Sequence, residues 1–113
     1  MKRGDVYWVA FPTGAGRAQA GRRPALIVQS DSATAKLPTL LVIPLTTQQD
    51  ALRFPGTVLI EVDEENHLPH TSVALVFQLT ALDKRFIDSR LGHISDPDLQ
   101  AIIATLNELT EQK

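Results

Sequence analysis

Residues 24–30, Pro-Ala-Leu-Ile-Val-Gln-Ser, contain an unbroken aliphatic run. A short apolar run bounded by turn-forming residues is typical of a buried strand. Residues 38–45, Pro-Thr-Leu-Leu-Val-Ile-Pro-Leu, repeat this pattern. Further strands are predicted from β-forming residues at residues 5–11, 57–62, 72–79 and 90–94. The chain is therefore predicted to be mainly β: five to six short antiparallel strands in a small barrel, because closure removes unpaired strand edges.

The C-terminal segment has a helical period. Ser95 precedes Asp98 by three residues, which is close to a capping box, and Pro97 suits a first helical turn. The apolar positions that follow are Leu99, Ile102, Ile103, Leu106 and Leu109. The spacing predicts a helix over residues 96–111 whose apolar stripe packs on the barrel or on another subunit.

Composition places the chain among globular proteins. It has 113 residues, 43% hydrophobic and 21% charged, and we expect residues 1–113 to form a single domain. No apolar run approaches the roughly 18 residues that cross a bilayer, and the first residues do not resemble a signal peptide. Cysteine is absent, so disulfides and thiolate chemistry are excluded. These features predict a cytoplasmic protein without a membrane segment.

Charge is unevenly distributed along the chain. Residues 1–60 hold seven Lys/Arg and three Asp/Glu, a balance of +4, whereas residues 61–113 hold four and ten, a balance of −6. A basic first half suits an anionic partner such as RNA, although surface charge of this kind usually serves only solvation.

Residues 12–23 form a predicted loop with three of the six glycines. Its glycine spacing is that of a phosphate-binding P-loop, but the Lys-Ser/Thr pair is missing and a strand follows, which argues against nucleotide hydrolysis. Pro24 forces Arg23 into an extended backbone at the strand entry. A guanidinium held there is suited to grip a phosphate, with plain solvation as the alternative.

Other polar and aromatic residues near the loops are candidates for the same site. Thr46 and Thr47 end the strand of residues 38–45, where their hydroxyls suit a phosphate or local backbone groups. His67 and His70 are separated by three positions, but Pro69 breaks the helix that would bring them together, so no metal site is predicted. Trp8 and Phe54 are candidates for stacking on bases, with core packing as the alternative.

Five segments carry a resemblance: residues 2–9, 21–31, 42–47, 72–78 and 82–85. Together they resemble the MazF/PemK family, the endoribonuclease toxins of bacterial toxin–antitoxin pairs. The resemblance implies an SH3-like barrel with a C-terminal helix, working as a homodimer. It also implies sequence-specific cleavage of single-stranded RNA without a metal or cofactor, giving 2′,3′-cyclic phosphate and 5′-hydroxyl ends. A small acidic antitoxin would neutralise the toxin by covering the RNA groove.

The resemblance also assigns site residues. The family's catalytic arginine and threonine correspond to Arg23 and Thr46. The predicted RNA-binding residues are Arg17, Gln19, Arg22, Thr47 and Gln78. At Arg23 and Thr46, the chemistry needs a positioned cation that stabilises the charge on the phosphate and a hydroxyl that orients the phosphate.

The sequence departs from the family pattern at three positions. Ala18 stands where a Glu is frequent, Phe77 where an acidic residue is frequent, and Thr80 where an Arg is frequent. The general acid or base is therefore left open among Asp31, Asp83 and His70. A second hypothesis is a catalytically weak barrel that binds RNA or an acidic peptide without cutting. A third is an assembly protein that uses the stripe on the C-terminal helix.

Overall fold

The computed structural model describes residues 1–12 and 21–111. The strands are β1 Asp5–Phe11, β2 Gly21–Ile27, β3 Thr39–Thr46, β4 Thr57–Ile60, β5 Ser72–Leu75, β6 Thr80–Asp83 and β7 Ile87–His93. The α-helices are α1 Asp31–Thr34 and α2 Asp96–Leu109. Short 3₁₀ helices occupy Gln49–Arg53, Val76–Gln78 and Lys84–Phe86.

Antiparallel pairing joins the strands in the order β4-β5-β3-β2-β1-β7. On one side of β3, β6 pairs with its first half and β5 with its last two residues. Within the described residues β4 and β7 do not pair, so the sheet is barrel-like but not closed. The predicted antiparallel β fold with a C-terminal helix is confirmed.

The strand count differs from the prediction of five to six, because the described residues form seven strands. Residues 72–79 were expected to make one strand, but they divide into β5 and the 3₁₀ helix Val76–Gln78, and β6 follows. The Leu79 amide donates to the Val76 carbonyl at 3.0 Å, which closes this turn. The alternating apolar pattern continues through this 3₁₀ helix. The pattern therefore does not predict where β5 ends or that Phe77 is exposed.

The two central strands bury both of their faces. On β2, Leu26 joins one core cluster, while Ala25 and Ile27 join a second. On β3, Ile43 joins the first cluster and Val42 the second. Successive side chains of a strand point to opposite faces, so an uninterrupted aliphatic run is what a strand between two cores requires.

Strand β2 begins earlier than the sequence predicts. It starts at Gly21, whose φ of 93° lies in the region that favours glycine, and not at Pro24. Arg22 and Arg23 are therefore strand residues, paired with Ala10 and Val9 of β1. Residues 13–20 of the predicted loop lie outside the described residues. Arg23 consequently has the rigid support of a sheet on which a functional side chain depends.

Helix α2 packs part of its apolar stripe against the sheet, while Leu109 at its end is exposed. Ser95 Oγ accepts a hydrogen bond from the Asp98 amide at 3.2 Å, so the predicted N-cap is present. Ile102 is fully buried in the first core cluster, and Leu99 and Leu106 pack against it. Among the described helices, none has the length and apolar character that a membrane span requires.

Candidate functional site

Arg23 and Thr46 lie at the same end of two neighbouring strands. Antiparallel pairing of β2 with β3 sets Ala25 beside Pro44, so the start of β2 and the end of β3 meet. Both side chains are half-buried there. The two residues that the sequence placed at the centre of the site are thus brought together by strand register.

Two clefts flank this pair, and both are lined by Arg23, Thr46 and Gln48. The first, which we call the Phe54 cleft, has a volume of about 230 Å³ and is also lined by Asp50, Ala51, Arg53, Phe54, Leu75, Phe77 and Gln78. The second, the His70 cleft, has a volume of about 390 Å³ and is also lined by Trp8, Pro24, Leu45, Thr47, Pro69, His70 and Ser72. An extended ligand that crosses the pair can occupy both clefts.

The Arg23 guanidinium is partly desolvated and incompletely paired. Burial lowers the pKa of Arg23, because a buried site disfavours the charged form. Its Nε is buried and has no hydrogen-bond partner within residues 1–12 and 21–111. Arginine nevertheless stays protonated near neutral pH. A half-buried guanidinium favours an anionic ligand such as a phosphate, which offers an opposite charge and hydrogen-bond acceptors to its exposed part.

The Thr46 hydroxyl is oriented by the backbone. Its oxygen accepts a hydrogen bond from the Gln48 amide at 3.2 Å. The local backbone role considered for this threonine is therefore present. It does not compete with a ligand role, because the hydroxyl proton stays available for donation to a ligand oxygen.

Gln78 and Thr47 also reach the clefts. Gln78 ends the 3₁₀ helix Val76–Gln78 and lines the Phe54 cleft. Its Oε1 is buried and lacks a hydrogen-bond partner in the described part of the chain. Thr47 is exposed and lines the His70 cleft. Both sequence-predicted residues are therefore placed beside Arg23 and Thr46.

Arg22 lies next to the His70 cleft, behind Trp8, and is already paired. Its guanidinium stacks 4.3 Å from the centre of the Trp8 ring, and its Nε is 3.2 Å from Asp88 Oδ2. It lines neither of the two clefts. The other two predicted RNA-binding residues, Arg17 and Gln19, lie outside the described residues.

The three candidates for proton transfer differ in whether they line a cleft. Asp31 Oδ1 accepts the Arg3 amide at 2.9 Å, and Asp83 Oδ1 accepts the Arg85 amide at 2.9 Å, so both carboxylates serve the backbone. Of the three, His70 is the one that lines a cleft with Arg23 and Thr46. Within the described residues, no three His, Asp or Glu side chains form a group suited to hold a metal ion.

Sequence reasoning missed part of the Phe54 cleft. Arg53 and Asp50 lie in the 3₁₀ helix Gln49–Arg53, a short turn without a periodic pattern to predict it. Phe77 falls within the strand predicted for residues 72–79, and the turn exposes it instead. In the sequence, the one signal that Phe77 could have a role at the site was its departure from the family pattern, in which this position is frequently acidic.

Comparison with known proteins supports the resemblance. The family model for the PemK-like, MazF-like toxin of type II toxin–antitoxin systems matches residues 2–110. The chain is 32% identical to the endoribonuclease MazF of Staphylococcus saprophyticus over 102 residues, which are 90% of this chain and 84% of that one.

Solved structures share the fold. The crystal structure of MazF from Deinococcus radiodurans matches with a TM-score of 0.82 and 25% identity over 98% of this chain and 96% of that one. A mycobacterial endoribonuclease in complex with its cognate antitoxin matches with a TM-score of 0.79 and 20% identity over 100% and 97% of the two chains. The chain therefore belongs to the PemK/MazF family of type II toxin–antitoxin toxins, as its sequence motifs predict.

Proposed function

We propose that this chain is the toxin of a toxin–antitoxin pair. It acts as an endoribonuclease that cleaves single-stranded mRNA at a site formed by Arg23 and Thr46. The observation that carries the proposal is the half-buried Arg23 guanidinium, whose Nε lacks a partner in the described residues, beside the Thr46 hydroxyl where two clefts meet. The family description and the name of the staphylococcal relative support the same activity.

The proposed reaction is an internal transesterification. The RNA 2′-oxygen forms a bond to the adjacent phosphorus as its proton leaves, and the bond from phosphorus to the 5′-oxygen breaks as that oxygen gains a proton. The products are a 2′,3′-cyclic phosphate and a 5′-hydroxyl. Arg23 stabilises the charge that develops on the phosphate oxygens, and Thr46 donates a hydrogen bond that orients them. Each contribution is on the order of 10²-fold in rate.

We assign the proton transfers to His70. Phe77 cannot accept a proton, and the Asp31 and Asp83 carboxylates are engaged by backbone amides. His70 lines the cleft that Arg23 and Thr46 share. An imidazole can take a proton from the 2′-hydroxyl in one form and give one to the 5′-oxygen in the other.

The mechanism uses no metal or cofactor, since Arg23 supplies the positive charge that a metal would supply to the phosphate. We propose that residues 1–113 act as one domain, as a homodimer, in the cytoplasm where mRNA is exposed.

The proposed protein partner is a small acidic antitoxin. A mycobacterial protein of the same fold was solved in complex with its cognate antitoxin. Among the described residues, the cleft walls carry Arg23 and Arg53 against the carboxylate of Asp50. An acidic segment would bind there by charge complementarity and exclude RNA.

The test is incubation of the protein with a mixed RNA pool in EDTA, followed by mapping of the cut ends. We expect cyclic phosphate and 5′-hydroxyl ends at a short recurring sequence. Arg23→Ala should lower cleavage by at least about 10²-fold. The matched control is Arg85→Ala, which removes an exposed arginine that stacks on Phe86 outside the two clefts.

Two results would contradict parts of this proposal. Ends with a 5′-phosphate would exclude attack by the 2′-oxygen, and loss of cleavage in EDTA would exclude the metal-independent mechanism. Uncut RNA would favour the second candidate, a barrel that binds RNA or an acidic peptide without cleavage. The observation behind that candidate is Phe77, an exposed apolar side chain in the wall of the Phe54 cleft.

A further inference from the structure

Two phenylalanine rings stand exposed in the wall of the Phe54 cleft. Phe54 is 46% exposed and Phe77 is 43% exposed. Their ring centres are 6.0 Å apart, and their planes are inclined by 56°. Exposed neighbouring aromatic rings in a concave surface indicate a contact that the isolated chain does not satisfy.

The rings lie among cations and polar groups. The Arg53 guanidinium is 4.8 Å from the centre of the Phe54 ring, within the range of a cation–π interaction. Arg23, Thr46 and Gln78 line the same cleft. The Phe54 cleft therefore combines an aromatic face, a guanidinium and the phosphate-binding pair of Arg23 and Thr46. Proteins that bind single-stranded nucleic acid use this combination.

Hydrogen bonds fix the backbone segments that carry both rings. The Phe54 amide donates to the Ala51 carbonyl at 3.0 Å, and Thr57 Oγ1 donates to the Phe54 carbonyl at 3.0 Å. The Phe77 amide donates to the Gly56 carbonyl at 3.2 Å, which ties the 3₁₀ helix Val76–Gln78 to the segment between Phe54 and β4. A Cβ at Gly56 would lie 3.1 Å from Phe77 Cβ, so the two segments are closely packed. The backbone beneath the pair is thus fixed before a ligand binds, which reduces the entropy lost on binding.

We propose that Phe54 and Phe77 form a docking site for one unpaired nucleobase of the RNA, next to the phosphate held by Arg23 and Thr46. The inference rests on the proposed function and adds the element that holds a base. The base would stack on a phenylalanine face while Arg53 contributes positive charge. A purely apolar peptide fits this site less well, because Arg23 and Arg53 outnumber the carboxylate of Asp50 in its wall.

The test compares two uncleavable strands of equal length and charge. One is a short single-stranded 2′-O-methyl RNA of random sequence, and the other has the same backbone without bases. We expect the wild-type protein to bind the strand with bases about 10-fold or more tightly. The double variant Phe54→Leu/Phe77→Leu keeps apolar bulk but lacks aromatic faces, so its affinity ratio should fall clearly below that of the wild type.

Two controls separate this inference from its alternatives. Phe86→Leu removes a ring with the same kind of arginine contact, at 4.9 Å from Arg85, and should keep the wild-type ratio. Arg23→Gln should weaken binding of both strands alike, because it acts on the phosphate. Thermal unfolding checks that each variant folds.

The inference is overturned if the wild-type protein binds both strands equally, or if the double variant keeps the ratio. A double variant that changes the sedimentation coefficient and keeps the ratio would assign the rings to contact between copies, which also overturns it. Cleavage of ordinary RNA by the wild-type protein is measured separately. If cleavage is absent, the proposed function fails, while the affinity ratio still decides whether the rings bind a base.

Discussion

The Arg23 region and the Asp5 region both hold charged groups in partly buried surroundings, and they differ in how those charges are paired. Asp5 is 5% exposed, and its carboxylate accepts hydrogen bonds from the Lys2 amide at 2.9 Å, His93 Nδ1 at 3.0 Å and Arg90 at 3.3 Å. The Arg23 Nε has no partner within the described residues. Removing one partner of a paired buried charge destabilises a fold because the other charge is left uncompensated, whereas a charge that is desolvated without a partner costs free energy until a ligand binds it.

The first prediction concerns Arg23, where the largest effect on activity is expected. Arg23→Met keeps most of the side-chain length and removes the charge. We expect RNA cleavage to fall by at least about 10²-fold, while the free energy of unfolding stays unchanged or rises. Cleavage in EDTA and urea unfolding measure the two quantities. A clear loss of stability would show that Arg23 supports the fold, and the contrast with Asp5 would fail.

The second prediction concerns the proton transfer at the open cleft. His70→Asn should lower the cleavage rate constant by about 10²-fold and flatten its pH dependence, because the imidazole is the group that exchanges protons. The matched control is His67→Asn. His67 hydrogen-bonds the Glu64 carbonyl through Nε2 and has a positive φ of 53°, which asparagine tolerates.

These two histidine variants separate catalysis from folding. Equal rates for His70→Asn and wild type would remove His70 from the mechanism. A lower rate with an unchanged pH profile would assign it to RNA binding instead.

The third prediction addresses the paired cluster. Asp5→Asn removes the charge that accepts from Arg90 and His93, so we expect a loss of about 1–3 kcal/mol in the free energy of unfolding at pH 7. RNA cleavage below the unfolding transition should be unchanged, because Asp5 lines neither cleft. Urea unfolding gives the first value, and the RNA assay the second. Loss of cleavage in a folded variant would connect the two regions.

The pH dependence of that loss follows from the same contacts. Burial raises the pKa of Asp5, but the bonds from His93, the Lys2 amide and Arg90 outweigh it, so the pKa lies below the ordinary aspartate value. A lowered folded pKa adds stability above the unfolded pKa of about 3.9, and that stability is lost as pH falls through the folded value. The difference between wild type and Asp5→Asn should therefore be complete above about pH 5 and shrink in acid. If the stability difference between wild type and Asp5→Asn instead grows in acid, the pKa of Asp5 is raised in the folded protein and not lowered.

The sequence predicted the elements whose side-chain pattern repeats. Two aliphatic runs indicated the central strands, and Ser95 with the stripe after it indicated α2. Because β2 and β3 are antiparallel neighbours, placing Arg23 at a strand start and Thr46 at a strand end was enough to bring them together. Short 3₁₀ helices have no such period, so the exposure of Phe77 and the position of Arg53 followed from the structure.

The last and smallest effect is expected at Arg22, the neighbour of Arg23 that is already paired. Its ion pair with Asp88 is exposed, with side-chain exposures of 53% and 57%, so Arg22→Ala should change the free energy of unfolding by about 0.5 kcal/mol. An exposed pair exchanges readily for a phosphate, and we expect the slope of log affinity against log salt for single-stranded RNA to fall by about 0.7. Asp88→Asn, which releases the same guanidinium, should raise RNA affinity. If neither variant changes RNA binding, Arg22 belongs with Asp5 among the charges that serve the fold, and Arg23 alone of the two adjacent arginines serves the ligand.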